Sequence, residues 1–184
     1  WNDCQRCIKK LKSISPQHAF NLPTESQWEY ASRAGSTTEY HFGDDESQLG
    51  KYAYYAANKR WPAEDGSFHY YDVATKKPNK WGLYDMHGNV WEWCLDWYHV
   101  DAYRKPRATD PLGPATGTSR VIRGGGWYSD ARDCRSSFRY AEHPLGTYYV
   151  MGFRVVMTPS ADVPVALRRF WDGIDTSAGL SHPP

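Results

Sequence analysis

The residues with the clearest chemical potential lie in one stretch, Trp81 to Tyr98, which reads WGLYDMHGNVWEWCLDWY. Asp85 and Glu92 are carboxylates on either side of a turn that contains Gly88 and Asn89. Both turn residues accept the positive φ that most side chains avoid, so the chain can fold back and bring the two carboxylates around a cation. Ca²⁺ suits such a place, because it takes carboxylate and carbonyl oxygens in flexible geometry. The competing structural roles are a turn cap at Asp85 and an ion pair between Glu92 and an arginine such as Arg123 or Arg154.

Four cysteines, Cys4, Cys7, Cys94 and Cys134, offer thiol chemistry. Cys4 and Cys7 form C-x-x-C, but no second pair completes a zinc site. Both recur with Trp1, Ile8 and Leu11 at helical spacing, so buried packing is expected for the two. The seven histidines show neither H-x-x-x-H nor H-E-x-x-H spacing. His87, inside the turn, is expected to be a structural hydrogen bonder. No Ser/His/Asp order, phosphate loop or dinucleotide glycine pattern is visible. A different chemistry marks Tyr128 to Tyr149. Tyr128, Ser129, Asp130, Arg132, Asp133, Tyr140, His143, Tyr148 and Tyr149 combine polar-tipped rings with hydrogen-bonding groups, which suits a ligand-binding surface. Trp127 and Phe138 read as core, and Arg135, Arg139 and Arg154 as internal ion-pair formers that hold loops.

The elements that must position these groups are short. Trp91, Trp93, Leu95 and Trp97 alternate with Val90, Glu92, Cys94 and Asp96, the period of a strand with one apolar face. Arg120–Arg123 and Gly152–Met157 read as further strands. Residues 1–11 form an amphipathic helix. A second helix starts at Thr24, with Gln27 completing a capping box, and stops at Gly35. In it Trp28, Ala31 and Ala34 face inward, while Glu25, Glu29 and Arg33 face solvent. Residues 36–80 and 99–119 lack periodicity and read as loops, the first long enough to need an organising ligand. The composition shifts after Thr158, giving one domain over 1–158 and a tail over 159–184 with one short helix near Pro164 to Asp172.

Length and charge bound the rest. The 184 residues, with 16% aromatics and a net charge of +1, give no electrostatic case for nucleic acid or an anionic membrane. No apolar run approaches the roughly 20 residues that span a bilayer.

Several motifs occur together and in order: NLPTESQWEYASRAG at 21–35, GLYDMHGNVWEW at 82–93, RVIRGGGW at 120–127, CRSSFR at 134–139 and GFRVV at 152–156. With the opening WNDCQRCIKKL, they make the chain resemble the formylglycine-generating-enzyme, or sulfatase-modifying factor, domain family from Trp1 to about Val156. The resemblance implies an α+β, C-type-lectin-like fold, loop-rich, with two helices and short antiparallel strands. It implies strands upstream of the first helix, so the chain is expected to be part of a longer protein. It favours a periplasmic or extracytoplasmic setting, which the N-terminus does not itself show. It implies Ca²⁺ held by Asp85, the carbonyls of Gly88 and Val90, and Glu92, with a second cation position at Asn58 and Asp65. The family's enzymes hold copper(I) with two cysteines after the glycine-rich strand and oxidise a substrate cysteine with O₂. Here that segment carries only Cys134, and Cys94 is the one other weak candidate, so copper is not expected. The related sulfoxide synthases hold iron through histidines of a separate helical domain. The expectation is a noncatalytic, calcium-stabilised binding or assembly domain with a protein or peptide partner. The alternatives are an O₂-dependent metal oxidoreductase acting on a thiol or peptide, and a ligand-recognition protein with a diversified lectin-like loop.

Overall fold

The computed structural model describes residues 1–59, 71–104 and 111–159. The chain begins with helix α1 (Asn2–Ile14), whose apolar stripe buries Cys4 and Ile8. Cys7, expected beside them, is exposed, because a three-residue step from Cys4 carries it to the rim of the stripe. Strand β1 (His18–Asn21) follows, then helix α2 (Glu25–Arg33). Thr24 caps α2 and makes the expected capping box with Gln27. Ala34, at φ 44, takes the left-handed cap position one residue before Gly35.

Strands β2 (Trp91–Trp97), β3 (Arg120–Arg123), β4 (Tyr140–Glu142) and β5 (Met151–Gly152) form a four-stranded sheet in the order β4-β3-β2-β5. β5 runs parallel to β2, a departure from the all-antiparallel expectation. The stretch expected as a single strand at 152–157 is divided. Its start belongs to β5, and its end is β6 (Val156–Pro159), which pairs with β1 in a separate two-stranded sheet. The fold is α+β and loop-rich, with the two expected α-helices and, among the described residues, two short 3₁₀ turns, Glu46–Lys51 and Ala131–Cys134.

β2 is the central strand, and its one-sided reading is corrected. Trp91 and Trp93 pack with Cys4, Ile8, Leu22, Ile122 and Trp127 on one side. On the other, Cys94 packs with Trp28, Met86 and Val121 beneath α2. Both faces are therefore core, and a register shift between Trp93 and Trp97 breaks the simple alternation.

Glu25, expected on the solvent face of α2, is buried. Arg139 Nε and Nη2 donate to its two carboxylate oxygens at 2.5 and 2.7 Å. The fully buried Arg123 also pairs with Glu25 and with Glu29 and lies over the Trp28 ring. Two arginines from the sheet side thus neutralise what helical periodicity alone would put in water. The tail helix at 164–172 lies outside the described residues, as does Asp65.

Candidate ligand-binding site

The turn at 85–89 is the first part of the site. Asp85 and Asn89 hold φ of 58° and 63°, and Gly88 holds 75°. A Cβ at Gly88 would stand 2.1 Å from the Tyr54 carbonyl oxygen, so only glycine fits where the two backbones meet. Asn89 N–H donates to that same carbonyl at 2.9 Å, and Gly88 N–H donates to Gly124 O at 2.7 Å. His87 is fully buried and locks the turn from inside. Its Nε2 accepts from His41 N–H at 3.2 Å, so Nδ1–H donates to Cys134 O at 2.7 Å. Burial drives the His87 pKa down to about 3 and that of its stacked neighbour His41 to about 4.

The two carboxylates of the turn differ. Asp85 Oδ2 accepts from Ala74 N–H at 2.8 Å, while its Oδ1 is buried with no hydrogen-bond partner. Glu92 makes the ion pair with Arg154: Nε donates to Oε2 at 2.6 Å and Nη2 to Oε1 at 2.7 Å, and Trp28 Nε1 adds a bond to Oε2 at 2.6 Å. Burial works against the Arg154 charge, but Glu92, with Asp85 beside it, more than offsets this and raises its pKa. A carboxylate offers about four lone-pair positions. Three named donors leave Glu92 one position on Oε1, enough for a single bond to a hard cation. Asp85, with its orphaned oxygen, fits such an ion more directly. Asn58 closes its own turn, accepting from Tyr55 N–H at 2.9 Å and donating to Ala53 O at 2.8 Å.

A cavity of about 640 Å³ opens beside the start of β2. Trp91 and Ile122 contribute from the sheet, and Phe138, Tyr140 and Glu142 from β4 and its approach. Tyr128, Ser129, Asp130 and Asp133 come from the loop and 3₁₀ turn after the glycine-rich strand end, and Tyr148 to Met151 from the segment entering β5. Of the nine residues expected from the sequence as a ligand surface, seven line this one space, and His143 and Arg132 do not. His143 is placed on the adjoining exposed turn, where its Nδ1 accepts from Leu145 N–H at 3.3 Å. Ser129 is buried, and its Oγ accepts from Gly126 N–H at 3.0 Å, so it shapes the loop as well as lining the cavity. Arg132 stays on the rim, 3.6 Å from Asp133 and 3.9 Å from Asp130. Sequence reasoning missed Trp91, Ile122, Glu142, Val150 and Met151 as lining, and read Phe138 as core alone. They belong to strands or strand entries, and the pairing of β4, β3, β2 and β5 in one sheet brings them together beside the loop.

The two candidate thiols are not in that space. Cys94 is fully buried in the cluster under α2, and Cys134 in a different cluster with Tyr40, Leu49, Ala53 and Ala131. Burial raises both pKa values, that of Cys134 to about 12, so neither sulfur is an activated nucleophile in its cluster.

The Sulfatase-modifying factor enzyme 1-like domain matches residues 1–159. The formylglycine-generating enzyme of Streptomyces coelicolor is 38% identical over 141 residues, covering 72% of this chain and 45% of that protein. The serine/threonine-protein kinase pkn1 of Chlamydia pneumoniae is 36% identical over 135 residues, covering 72% of this chain and 20% of that protein. The chain thus spans less than half the length of these two relatives. Among solved structures, Treponema denticola variable protein 1 superposes with a TM-score of 0.67 at 37% identity, over 77% of this chain and 48% of that one. PvdO from Pseudomonas aeruginosa superposes with a TM-score of 0.72 at 28% identity, over 87% and 60%. The ordered motifs, the sheet they build and these likenesses agree: the chain belongs to the sulfatase-modifying factor family.

Proposed function

We propose that this chain is a noncatalytic, calcium-stabilised binding domain that engages a protein, peptide or smaller ligand through the tyrosine-lined cavity. The observation that carries this is the separation of binding surface from thiols. The cavity gathers Tyr128, Tyr140, Tyr148 and Tyr149 with Asp130 and Asp133, while Cys94 and Cys134 lie buried in two other, separate clusters. Copper chemistry needs paired thiolates within one site. The sequence segment that would supply them has one cysteine.

Calcium would be held by Asp85 and Glu92, with the Gly88 and Val90 carbonyls. It would supply charge that satisfies the orphaned Asp85 oxygen and ties the 72–75 loop to the turn. Addition of Ca²⁺ should raise the melting temperature and EGTA reverse it, and Asp85→Asn should abolish the response. No response in the unsubstituted protein at millimolar Ca²⁺ would remove calcium from the reading. Asn58 and Asp65 are proposed as a second position, tested by the Ca²⁺ stoichiometry.

The second reading, an O₂-dependent oxidoreductase, is supported by the names of relatives such as the Streptomyces coelicolor protein. The two are separated by incubating the copper-loaded chain with a cysteine-containing peptide, O₂ and a reductant, followed by mass spectrometry. Peptide oxidation that depends on Cys94 or Cys134 would put catalysis first.

A further inference from the structure

We propose that the cavity recognises an organic cation, an ammonium or guanidinium group carried on a ligand of small-molecule size. This rests on the cavity being the binding site and goes on to the chemistry of its occupant. Four tyrosines stand around it at 46 to 54% exposure. Such rings would ordinarily cover one another or pack inward. Here they are held open. Trp91 Nε1 donates to the Tyr128 hydroxyl at 3.2 Å. Trp91 also lies 5.7 Å from the Tyr140 ring centroid, and Trp127 lies 5.7 and 6.1 Å from those of Tyr128 and Tyr149. The rings are therefore set before a ligand arrives, which lowers the entropic cost of binding.

The charge on the described walls has one sign. Asp130, Asp133 and Glu142 are among the described lining residues, and no lysine or arginine is. Aromatic faces carry negative quadrupole potential and attract cations within about 6 Å of the ring centre. Carboxylates beside them add net charge that rings alone lack. An anion would meet repulsion from both. A neutral apolar ligand would leave the carboxylates desolvated without a partner. Arg132 on the rim, 74% exposed, reaches Asp130 and Asp133 only at 3.9 and 3.6 Å, a loose pairing that an incoming cation can replace. Elsewhere the same chain shows the chemistry satisfied internally: the Arg120 guanidinium lies between the Trp1 and Trp97 rings, at 4.0 and 3.5 Å from their centroids. The volume lies within the usual range of small-molecule sites, far more than a single ammonium head needs, so the cation is attached to a larger body.

The test uses the whole chain and four probes of one hexyl length: hexyltrimethylammonium, hexylguanidinium, a neutral isostere with carbon in place of nitrogen, and hexanoate. Binding is read by Trp fluorescence and calorimetry. The expected result is saturable binding of a cationic probe, at least about tenfold weaker binding of the neutral isostere, and weaker cation binding in high salt. Asp133→Asn and Tyr148→Leu should each weaken the cation at least about fivefold with an unchanged melting temperature, since both side chains face the cavity from its rim. Ammonium against guanidinium preference identifies the head group. A lysine- or arginine-containing peptide, compared with the free cations, identifies whether it arrives on a chain. Equal binding of the neutral isostere, or preference for hexanoate, overturns the cation inference and leaves the cavity as a binding site. No binding of any probe or peptide at millimolar concentration overturns both.

Discussion

The buried histidine pair makes the chain acid-sensitive in a way that can be calculated. His41 and His87 stack at 4.8 Å, and burial lowers their pKa values from 6.5 to about 4 and about 3. In the unfolded chain both protonate near 6.5, so below that pH the unfolded state binds more protons and stability falls. Between about pH 7 and about pH 5 each imidazole costs just under ~2 kcal/mol. Asp96 works the other way. Its burial raises its pKa from 3.8 to about 6, so on acidification it takes up a proton in the folded state first. That returns just over ~1 kcal/mol over the same interval. The net expected loss is about 2 kcal/mol. Urea unfolding at the two pH values measures it. His87→Gln keeps a donor for Cys134 O and an acceptor for His41 N–H while removing one titration. The loss should then shrink by just under ~2 kcal/mol, almost vanishing. An unchanged pH dependence in this variant would refute the assignment of His87 as a buried neutral imidazole.

Other expectations follow from named contacts. Arg154→Met leaves the Glu92 carboxylate with Trp28 alone inside the fold and should cost about 3 kcal/mol in chemical denaturation. The paired change Arg154→Met with Glu92→Gln should be milder than the sum of the two, because each single change strands the other's charge or donor. Gly88→Ala should cost at least about 2 kcal/mol, from positive φ together with the Cβ that would meet Tyr54 O; a stability equal to the parent would show that the turn relaxes freely. In native protein a thiol reagent should modify Cys7 rapidly and leave Cys4, Cys94 and Cys134 unmodified until unfolding, read by mass after brief labelling.

Local sequence determined what local physics controls. The capping box of α2 required only Thr24 and Gln27 at the right spacing. The positive-φ turn required Gly88 and Asn89. The tyrosine-rich surface at 128–149 was legible because seven of its residues lie within 22 positions of one another in the chain, and ring chemistry can be read without knowing the strand order. Tertiary structure decided what depends on a distant partner. Helical periodicity sent Glu25 to solvent, yet Arg139, 114 residues away, brings it inside. The alternation of β2 assigned one apolar face, yet α2 above and α1 below cover both. β1 and β4 went unread because His18–Asn21 and Tyr140–Glu142 show no clear alternation, and the split of the 152–157 stretch between β5 and β6 depends on their different partners. Each exists only through the hydrogen bonds of a neighbour. The fate of Cys94 and Cys134 was likewise a packing outcome. Their spacing ruled out a shared local motif, but only the two separate clusters show why neither thiol reaches the cavity: each fills a gap beside a glycine or a ring, where burial disfavours a charged sulfur.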